Sequence, residues 1–310
     1  MIWQGVTGAA SYDGFETLFV ADGDVIDVVG TPITSENVVE EMTKVHAAIP
    51  SALITSPDLA INVSQSVAQA YIIALGGFAA AGLGANGVAN NVEIMSIRTV
   101  PNGDEYDKDV ALAIRYAVDN GAEVINGSFG KSFSPHADWV RDAIKYASDN
   151  DVVIVHAAGN DSKNIDIEPN FPDDNVNFVE VSNSYIRVGS LTSKYGSKMV
   201  SGFSNFGKKN VDIFAPGSQI YSTFPENEYK SIGGTSMAAP AVAGIAALIR
   251  SQYPKLTAAQ VKQVILESGL PLSNKVVVGG DASNVKPFSD LSKSGKIANV
   301  FNALIIASKL

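Results

Sequence analysis

The sequence predicts an α/β fold of three layers, in which a mostly parallel sheet carries helices on both faces. From residue 91 onwards, near-continuous apolar segments alternate with segments whose apolar residues recur at helical spacing. Apolar strands joined by amphipathic helices are typical of a parallel sheet buried between two helix layers. The 310 residues are 46% hydrophobic and 17% charged, which suffices for one large core. Because no repeat, charge block or linker divides the chain, we expect a single domain over residues 1–310.

The predicted elements fall into two groups, before and after residue 84. In the first group, residues 15–30 indicate one or two short strands around an Asp-Gly-Asp turn, and residues 35–49 and 63–76 have helical spacing. In the second group, the predicted strands cover 91–100, 123–127, 152–157, 176–183, 184–191 and 211–217. The predicted helices of that group cover 107–121, 136–151, a segment that begins at Ser236, 257–268 and about 296–308.

Charge and composition exclude several classes of function. The formal net charge is −10 and the pI is about 4.8, so the chain lacks the basic surface that nucleic acid requires. Cysteine is absent, which excludes disulfides and thiolate metal sites. The apolar segments near 70–82 and 237–249 are shorter than the ~20 residues of a membrane span, and the N-terminus lacks the pattern of a secretory signal. We therefore expect neither nucleic acid nor a membrane as a partner.

Residues 233–250, GGTSMAAPAVAGIAALIR, place Ser236 at the start of an apolar helix. A helix without a polar face has to be buried. The glycines at 233 and 234 allow backbone to approach closely, and free N–H groups at a helix start favour a developing negative charge. The pattern therefore indicates a nucleophilic serine for acyl transfer. The alternative at this point is that Ser236 is an ordinary N-cap of a core helix.

The segment GTSMAAP resembles the serine signature of the subtilisin-like serine proteases, or subtilases. The loops NGSFG (126–130) and HAAGN (156–160) and the segment FAPG (214–217) are also similar to that family. The resemblance covers about residues 87–310, so the single domain divides into a divergent head, 1–84, and a family-like body, 85–310. It implies the subtilisin-like fold and hydrolysis of peptide bonds, with a protein or peptide substrate bound in extended form.

The resemblance also implies roles for individual residues. Ser236 would be the nucleophile, and the Asn160 amide together with the Ser236 backbone N–H would hold the oxyanion of the tetrahedral intermediate. Residues 98–101 would offer an edge to an extended peptide. No cofactor is implied; the family often holds structural calcium, and no cluster of carboxylate ligands is evident here. The pocket for the side chain before the scissile bond would be lined by Ser128, Phe129, Gly130, Ala157, Ala158 and Gly159.

The head departs from the family pattern at the other two members of the catalytic triad. Subtilases carry a histidine at a helix start shortly before a Gly-Val-Ala loop; here that loop is 87–89 and Ala70 or a neighbour falls at the histidine position. His46 lies near the end of a predicted helix. Asp22 and Asp27 each follow a short apolar strand, and both are more typical of turn carboxylates. His156 is interpreted as a half-buried strand residue, and His136 as a surface residue at a helix start.

Three interpretations follow for the whole chain. The first is a serine endopeptidase whose general base lies outside the family position. The second is a catalytically inactive, peptide-binding relative, because a serine hydroxyl without an adjacent base is a weak nucleophile. The third is that residues 1–84 are a replaced or recombined head on a subtilase body.

Overall fold

A six-stranded sheet organises the part of the chain that the computed structural model describes, residues 18–20, 24–26, 87–89, 92–100, 104–224 and 228–310. The two earliest segments are described as backbone only. In chain order the strands are β1 Leu18–Val20, β2 Asp24–Ile26, β3 Val124–Gly127, β4 Val153–Ala157, β5 Asn175–Val176, β6 Val179–Glu180, β7 Tyr185–Leu191, β8 Ile213–Pro216, β9 Ile220–Phe224, β10 Glu228–Ile232, β11 Leu270–Pro271, β12 Lys275–Val278, β13 Asp281–Pro287 and β14 Lys296–Ile297.

The order within this sheet is β11-β14-β8-β7-β4-β3. Within this sheet the neighbouring strands β14, β8, β7, β4 and β3 pair in parallel. The edge strand β11 runs antiparallel to its neighbour β14. The short remaining strands form antiparallel pairs: β1 with β2, β5 with β6, β9 with β10 and β12 with β13. The mostly parallel sheet that the sequence predicts is confirmed.

Within the described ranges, five α-helices cover the sheet: α1 Asp107–Asp119, α2 Ala137–Asp149, α3 Thr235–Gln252, α4 Ala258–Ser268 and α5 Val300–Ala307. Helices α3, α4 and α5 share one core with the Val155 and Ile186 side of the sheet. Helices α1 and α2 pack on the other face, against Ile154 and Tyr185. The three-layer arrangement is therefore confirmed. None of the helices in the described ranges is both long and apolar enough to span a membrane.

Helix α3 forms the centre of the larger core. Nine of the twelve residues from Ala238 to Ile249 are buried, as expected for a helix that is apolar on most sides. Helix α4 follows after a capping box, in which the Thr257 side chain accepts from the Gln260 N–H and the Gln260 side chain accepts from the Thr257 N–H. Both helices begin within one residue of the sequence-based expectation.

Two predicted strands are wrong. Residues 92–100 form no strand, because the described residues offer this segment no ladder partner and leave most of it exposed, including Ile94. Residues 176–183 form no continuous strand either. The chain reverses at Asn177 and Phe178, whose φ angles are 53° and 65°, so that β5 and β6 make a small hairpin.

The remaining predictions for the head can be tested only in part. Residues 15–30 contain a two-stranded hairpin, β1 with β2, as the Asp-Gly-Asp turn indicates. The predicted helices at 35–49 and 63–76 lie outside the described residues, as do Asp22, Asp27, His46 and Ala70. The division of the domain at residue 84 stays a prediction.

Helix α3 and the segment 87–89 lie close together at Gly244. A Cβ added at Gly244 would lie 2.7 Å from Val88 Cβ. Alanine is normally the better helix former by about 1 kcal/mol, but overpacking a core typically costs about 1–3 kcal/mol. We therefore expect Gly244→Ala to lower the free energy of unfolding by about 1 kcal/mol, measured by urea denaturation. In the Gly244→Ala/Val88→Gly double variant, which removes Val88 Cβ, this penalty is expected to vanish, leaving the cost of Val88→Gly alone; equal costs in both backgrounds would contradict the contact.

A buried charged cluster lies at the amino end of β8. The Asp212 carboxylate accepts a hydrogen bond of 2.7 Å from the Arg187 backbone N–H, and Lys262 Nζ lies 3.7 Å from its other oxygen. Lys262 Nζ also lies 3.3 Å from the Glu180 carboxylate. Burial raises the pKa of the nearby Asp174 to about 6, and the negative charge of Asp212 adds to this effect, against the opposing cations. This cluster lies at the opposite end of the strands from the loops that follow β3 and β4.

Asp174→Asn is expected to stabilise the protein above pH 6. An acid with a higher pKa in the folded than in the unfolded state binds its proton more tightly when folded, so its contribution to stability falls as the pH rises from about 4 through 6. Asparagine keeps the shape of the side chain and removes this loss of stability, which is about 3 kcal/mol at pH 7.5 and close to zero at pH 3.5. Urea unfolding of both proteins at the two pH values tests this, and equal gains at both would show that the carboxylate charge is not the cause.

Candidate active site

The start of α3 lies against the loops that leave the carboxyl ends of β3 and β4, at the sheet edge where ligands gather in parallel α/β folds. The loop after β3 supplies Ser128, Phe129 and Gly130, which we call the first wall. The loop after β4 supplies Ala158, Gly159 and Asn160, which we call the second wall. The first wall is hydrogen-bonded to Ser236 and the second wall to Thr235, the first two residues of α3.

Pro240 leaves the Ser236 carbonyl free to accept a hydrogen bond from the first wall. In an α-helix the N–H of residue 240 would donate to the carbonyl of residue 236, but proline has no N–H. The freed Ser236 carbonyl instead accepts a hydrogen bond of 2.8 Å from Ser128 Oγ. Ser128 Oγ in turn accepts one of 2.9 Å from Asn126 Nδ2. The helix interruption thus ties the serine's backbone to the first wall.

The Ser236 hydroxyl is half-buried and donates to the Ser128 carbonyl over 3.1 Å. The N-cap of α3 is Gly234, without a side-chain cap, so Ser236 is not the N-cap. Among the described residues no imidazole forms a hydrogen bond with the hydroxyl. The serine is therefore free of a capping role and is held by backbone contacts to the first wall.

Asn160 joins the second wall to the helix. Its Oδ1 accepts from the Thr235 backbone N–H over 2.8 Å and from the Thr235 hydroxyl over 3.0 Å. Thr235 Oγ1 also accepts from the Gly159 N–H over 3.1 Å. These hydrogen bonds fix the orientation of the amide. Its other end, Nδ2, has no hydrogen-bond partner among the described residues. Thr235 is fully buried. The sequence analysis missed that Thr235 positions Asn160, although Thr235 directly precedes Ser236 in the motif.

Two donors converge in front of Gly234. The position that a Cβ of residue 234 would occupy lies 3.6 Å from Asn160 Nδ2 and 3.6 Å from the Ser236 backbone nitrogen. Glycine places no side chain at this position, which lies next to both nitrogen atoms. Two fixed donors at a helix start are the arrangement that stabilises a developing oxyanion.

The predicted pocket residues take different positions in the walls. Phe129 packs edge-on against the His156 ring, with 5.1 Å between centroids, and Ala158 is buried. Gly159 has a φ of 100°, and a Cβ there would lie 2.4 Å from Asn205 Nδ2, so this position requires glycine. Residues 98–100, predicted as a peptide edge, have no regular structure, and Pro101 lies outside the described residues.

Neither of the two described histidines contacts Ser236. His136 is exposed at the start of α2 and stacks on Trp139, as expected for a surface residue. His156 lies on β4 but is only 2% exposed, so the prediction of a half-buried residue is wrong: the ring is enclosed by Phe129, Tyr185 and Gly127. Burial, and then the positive charge of Arg187, lower the pKa of His156 to about 3. The ring is thus neutral and unsuited to take a proton from Ser236.

A metal site is not evident in the same region. Among the described residues, no group of three or more histidine, cysteine, aspartate or glutamate side chains could hold a metal ion. Calcium binding therefore stays untested, and the walls carry no carboxylate.

The comparisons with known proteins agree on one family. The sequence model of the family described as "Subtilase family" matches residues 68–291. Subtilisin DY of Bacillus licheniformis is 34% identical over 204 residues, covering 66% of this chain and 70% of that protein. A thermophilic serine proteinase of Bacillus sp. strain AK1 is 41% identical over 170 residues, covering 54% of this chain and 38% of the relative. A solved protease structure from Pseudoalteromonas arctica PAMC 21717 is similar with a TM-score of 0.57 and 27% identity, covering 72% of this chain and 66% of that one.

Proposed function

Because the chain belongs to the subtilase family of serine endopeptidases, we propose that it hydrolyses peptide bonds through Ser236, with an oxyanion site formed by Asn160 and the Ser236 N–H. One observation carries the proposal: Asn160 Nδ2 and the Ser236 backbone nitrogen both lie 3.6 Å from the position that a Cβ of residue 234 would occupy. In the proposed reaction the carbonyl oxygen of the substrate takes this position.

In the proposed reaction Ser236 Oγ attacks the carbonyl carbon of an extended peptide. The electron pair of the C=O bond moves onto the oxygen, which receives hydrogen bonds from Asn160 Nδ2 and the Ser236 backbone N–H. Collapse of the tetrahedral intermediate releases the amine half and leaves an acyl-serine, which water then hydrolyses. The described residues supply the nucleophile, the donors and the walls; the proton acceptor for Ser236 has to come from outside them.

A second candidate function is peptide binding without turnover. The observation that favours it is that the Ser236 hydroxyl donates to the Ser128 carbonyl and not to a histidine. An unactivated serine with an intact oxyanion site retains only roughly 10³–10⁴ of acceleration over water. Such a chain would bind extended peptides in the same cleft.

Labelling with a fluorophosphonate separates the two candidates. An endopeptidase is expected to be labelled at Ser236, as located by mass spectrometry of the digested protein, and Ser236→Ala is the matched unlabelled control. No labelling of the folded wild-type chain, together with peptide affinity that Ser236→Ala leaves unchanged, would overturn hydrolysis and support the binding protein.

A further inference from the structure

Asn205 is a fully buried residue that lies against the second wall. Its Nδ2 donates to the Ala158 carbonyl over 3.0 Å, and its backbone N–H donates to the Gly159 carbonyl over 3.0 Å. A Cβ at Gly159 would lie 2.4 Å from Asn205 Nδ2, so the glycine lets the amide approach this closely. Asn205 thus holds both of the residues that directly precede Asn160.

The same side chain also holds the backbone that follows Asn160. Asn205 Oδ1 accepts a hydrogen bond of 3.0 Å from the Asp161 N–H and one of 2.9 Å from the Lys163 N–H. Asn160 therefore lies between two stretches of backbone that one amide fixes. A carboxylate has no donor and an apolar side chain has neither donor nor acceptor, so only an amide makes all of these contacts at this position.

The position of this backbone decides where Asn160 Nδ2 lies. The other end of the Asn160 amide is held by Thr235 at the start of α3, but a shift of the wall would still move the donor. Functional groups have to be held within about 0.5 Å of the productive geometry by residues that are themselves fixed. Among the described residues, no hydrogen bond joins Asn205 to Thr235 or Ser236, so Asn205 can act on the site only through the second wall.

We propose that Asn205 is a positioning residue, which holds the second wall so that Asn160 Nδ2 meets the oxyanion of the tetrahedral intermediate. The inference rests on the proposed function, because the oxyanion forms only in that reaction. A donor that meets a full charge only in the transition state contributes little to substrate binding. Loss of Asn205 therefore lowers kcat and leaves KM almost unchanged.

Asn205→Asp removes one of the contacts and keeps the others. The carboxylate still accepts from the Asp161 and Lys163 N–H groups, but it cannot donate to the Ala158 carbonyl. We expect kcat for a fluorogenic peptide to fall by about tenfold or more, with little change in KM. Asn205→Ser, which shortens the side chain and adds no charge to the core, is expected to show the same pattern and provides a second test.

Ser184→Ala is the matched control for a loss of stability. Ser184 is also buried, and its hydroxyl donates to the Val152 carbonyl over 2.8 Å, at the amino ends of β4 and β7 and away from the walls. Alanine at this position also removes a buried donor to a backbone carbonyl. We therefore expect a lower melting temperature together with an unchanged kcat.

A double-mutant cycle identifies the residue through which Asn205 acts. If the wall positions Asn160 Nδ2, Asn205→Asp lowers kcat in the wild-type background and has no further effect in the Asn160→Ala background. Equal losses of kcat in the two backgrounds would overturn the inference. So would a wild-type kcat in the folded Asn205 variants, or the same loss of kcat in Ser184→Ala.

Hydrogen exchange separates this inference from the proposed hydrolysis. The Thr235 N–H belongs to the first turn of α3 and has no partner within the helix; it donates to Asn160 Oδ1. Its exchange rate, measured by NMR, therefore reports the position of Asn160 without any turnover. We expect Asn205→Asp to speed up this exchange by about tenfold and Ser184→Ala to leave it unchanged.

The two measurements together distinguish the outcomes. Faster exchange in Asn205→Asp, in a chain whose wild type shows no turnover, would keep the positioning role and overturn the endopeptidase. Turnover with the exchange rate and kcat both unchanged in Asn205→Asp would overturn the positioning role alone. No turnover together with an unchanged exchange rate would overturn both.

Discussion

Replacing Asn160 by alanine is expected to lower kcat for a peptide substrate by about 10²–10³ while KM changes little. Loss of one such oxyanion donor in a subtilisin has this effect. The reason is that Nδ2 meets a full negative charge only in the transition state, so its loss raises the barrier and hardly affects binding of the substrate. Steady-state kinetics with one fluorogenic peptide measures both constants.

The second function of Asn160 has to be controlled in this experiment. Its Oδ1 also holds Thr235 at the start of α3, so alanine removes a structural acceptor as well as the donor. Asn160→Asp keeps the acceptor and replaces only the donor, and we expect it to lose at least as much turnover. If Asn160→Asp were as active as the wild type, the amide would act through Thr235 alone and the oxyanion assignment would be wrong.

Gly234→Ala is expected to lower kcat/KM by about 10² or more without unfolding the protein. The added methyl group would stand 3.6 Å from both donors, in the space through which the carbonyl oxygen has to approach them. A displacement of about 1 Å from the reactive position is enough for a loss of this order. The fold should tolerate the change, because the nearest atom to the new Cβ, Met237 Sδ, lies 3.5 Å away and the φ of 163° is extended backbone.

Gly233→Ala is the matched control for this variant. A Cβ at Gly233 also has room, with its nearest neighbours at 3.6 Å, but neither donor nitrogen is among them. We expect Gly233→Ala to keep most of the activity and both variants to melt near the wild-type temperature. Equal losses in the two variants would mean that glycine is needed at this turn for a reason other than access to the donors.

Much of the body of this fold could be predicted because its elements have strong local patterns. Helix α3 is apolar on every side and can only be buried, and α4 carries its own capping box. Ser236 and the Asn160 amide could be proposed as site residues because they lie inside contiguous motifs. The hairpins β9 with β10 and β12 with β13 were missed, since short antiparallel strands at a surface have weak alternation.

Other parts of the structure depend on contacts that sequence spacing does not encode. Asn170 lies in a long loop without a motif, and only the closed fold brings its amide between Gly130 and Gly159. Likewise, Arg187 looks like an interruption in an apolar strand until the fold brings the Pro172 carbonyl to its guanidinium group. The reversal at Asn177 and Phe178 was missed because the segment is rich in valine and phenylalanine, which favour strands.

The hydrogen bonds around Ser236 also have a mechanical consequence. The serine receives a hydrogen bond from the first wall at its carbonyl and gives one back from its hydroxyl, so Ser236 and the wall are tied together at two points. In the proposed hydrolysis, a peptide that displaced Ser128 would also turn the Ser236 oxygen, and correct seating of the substrate would be a condition for attack. Pro240 enforces this coupling, because it denies the Ser236 carbonyl the helix bond that would otherwise release the wall.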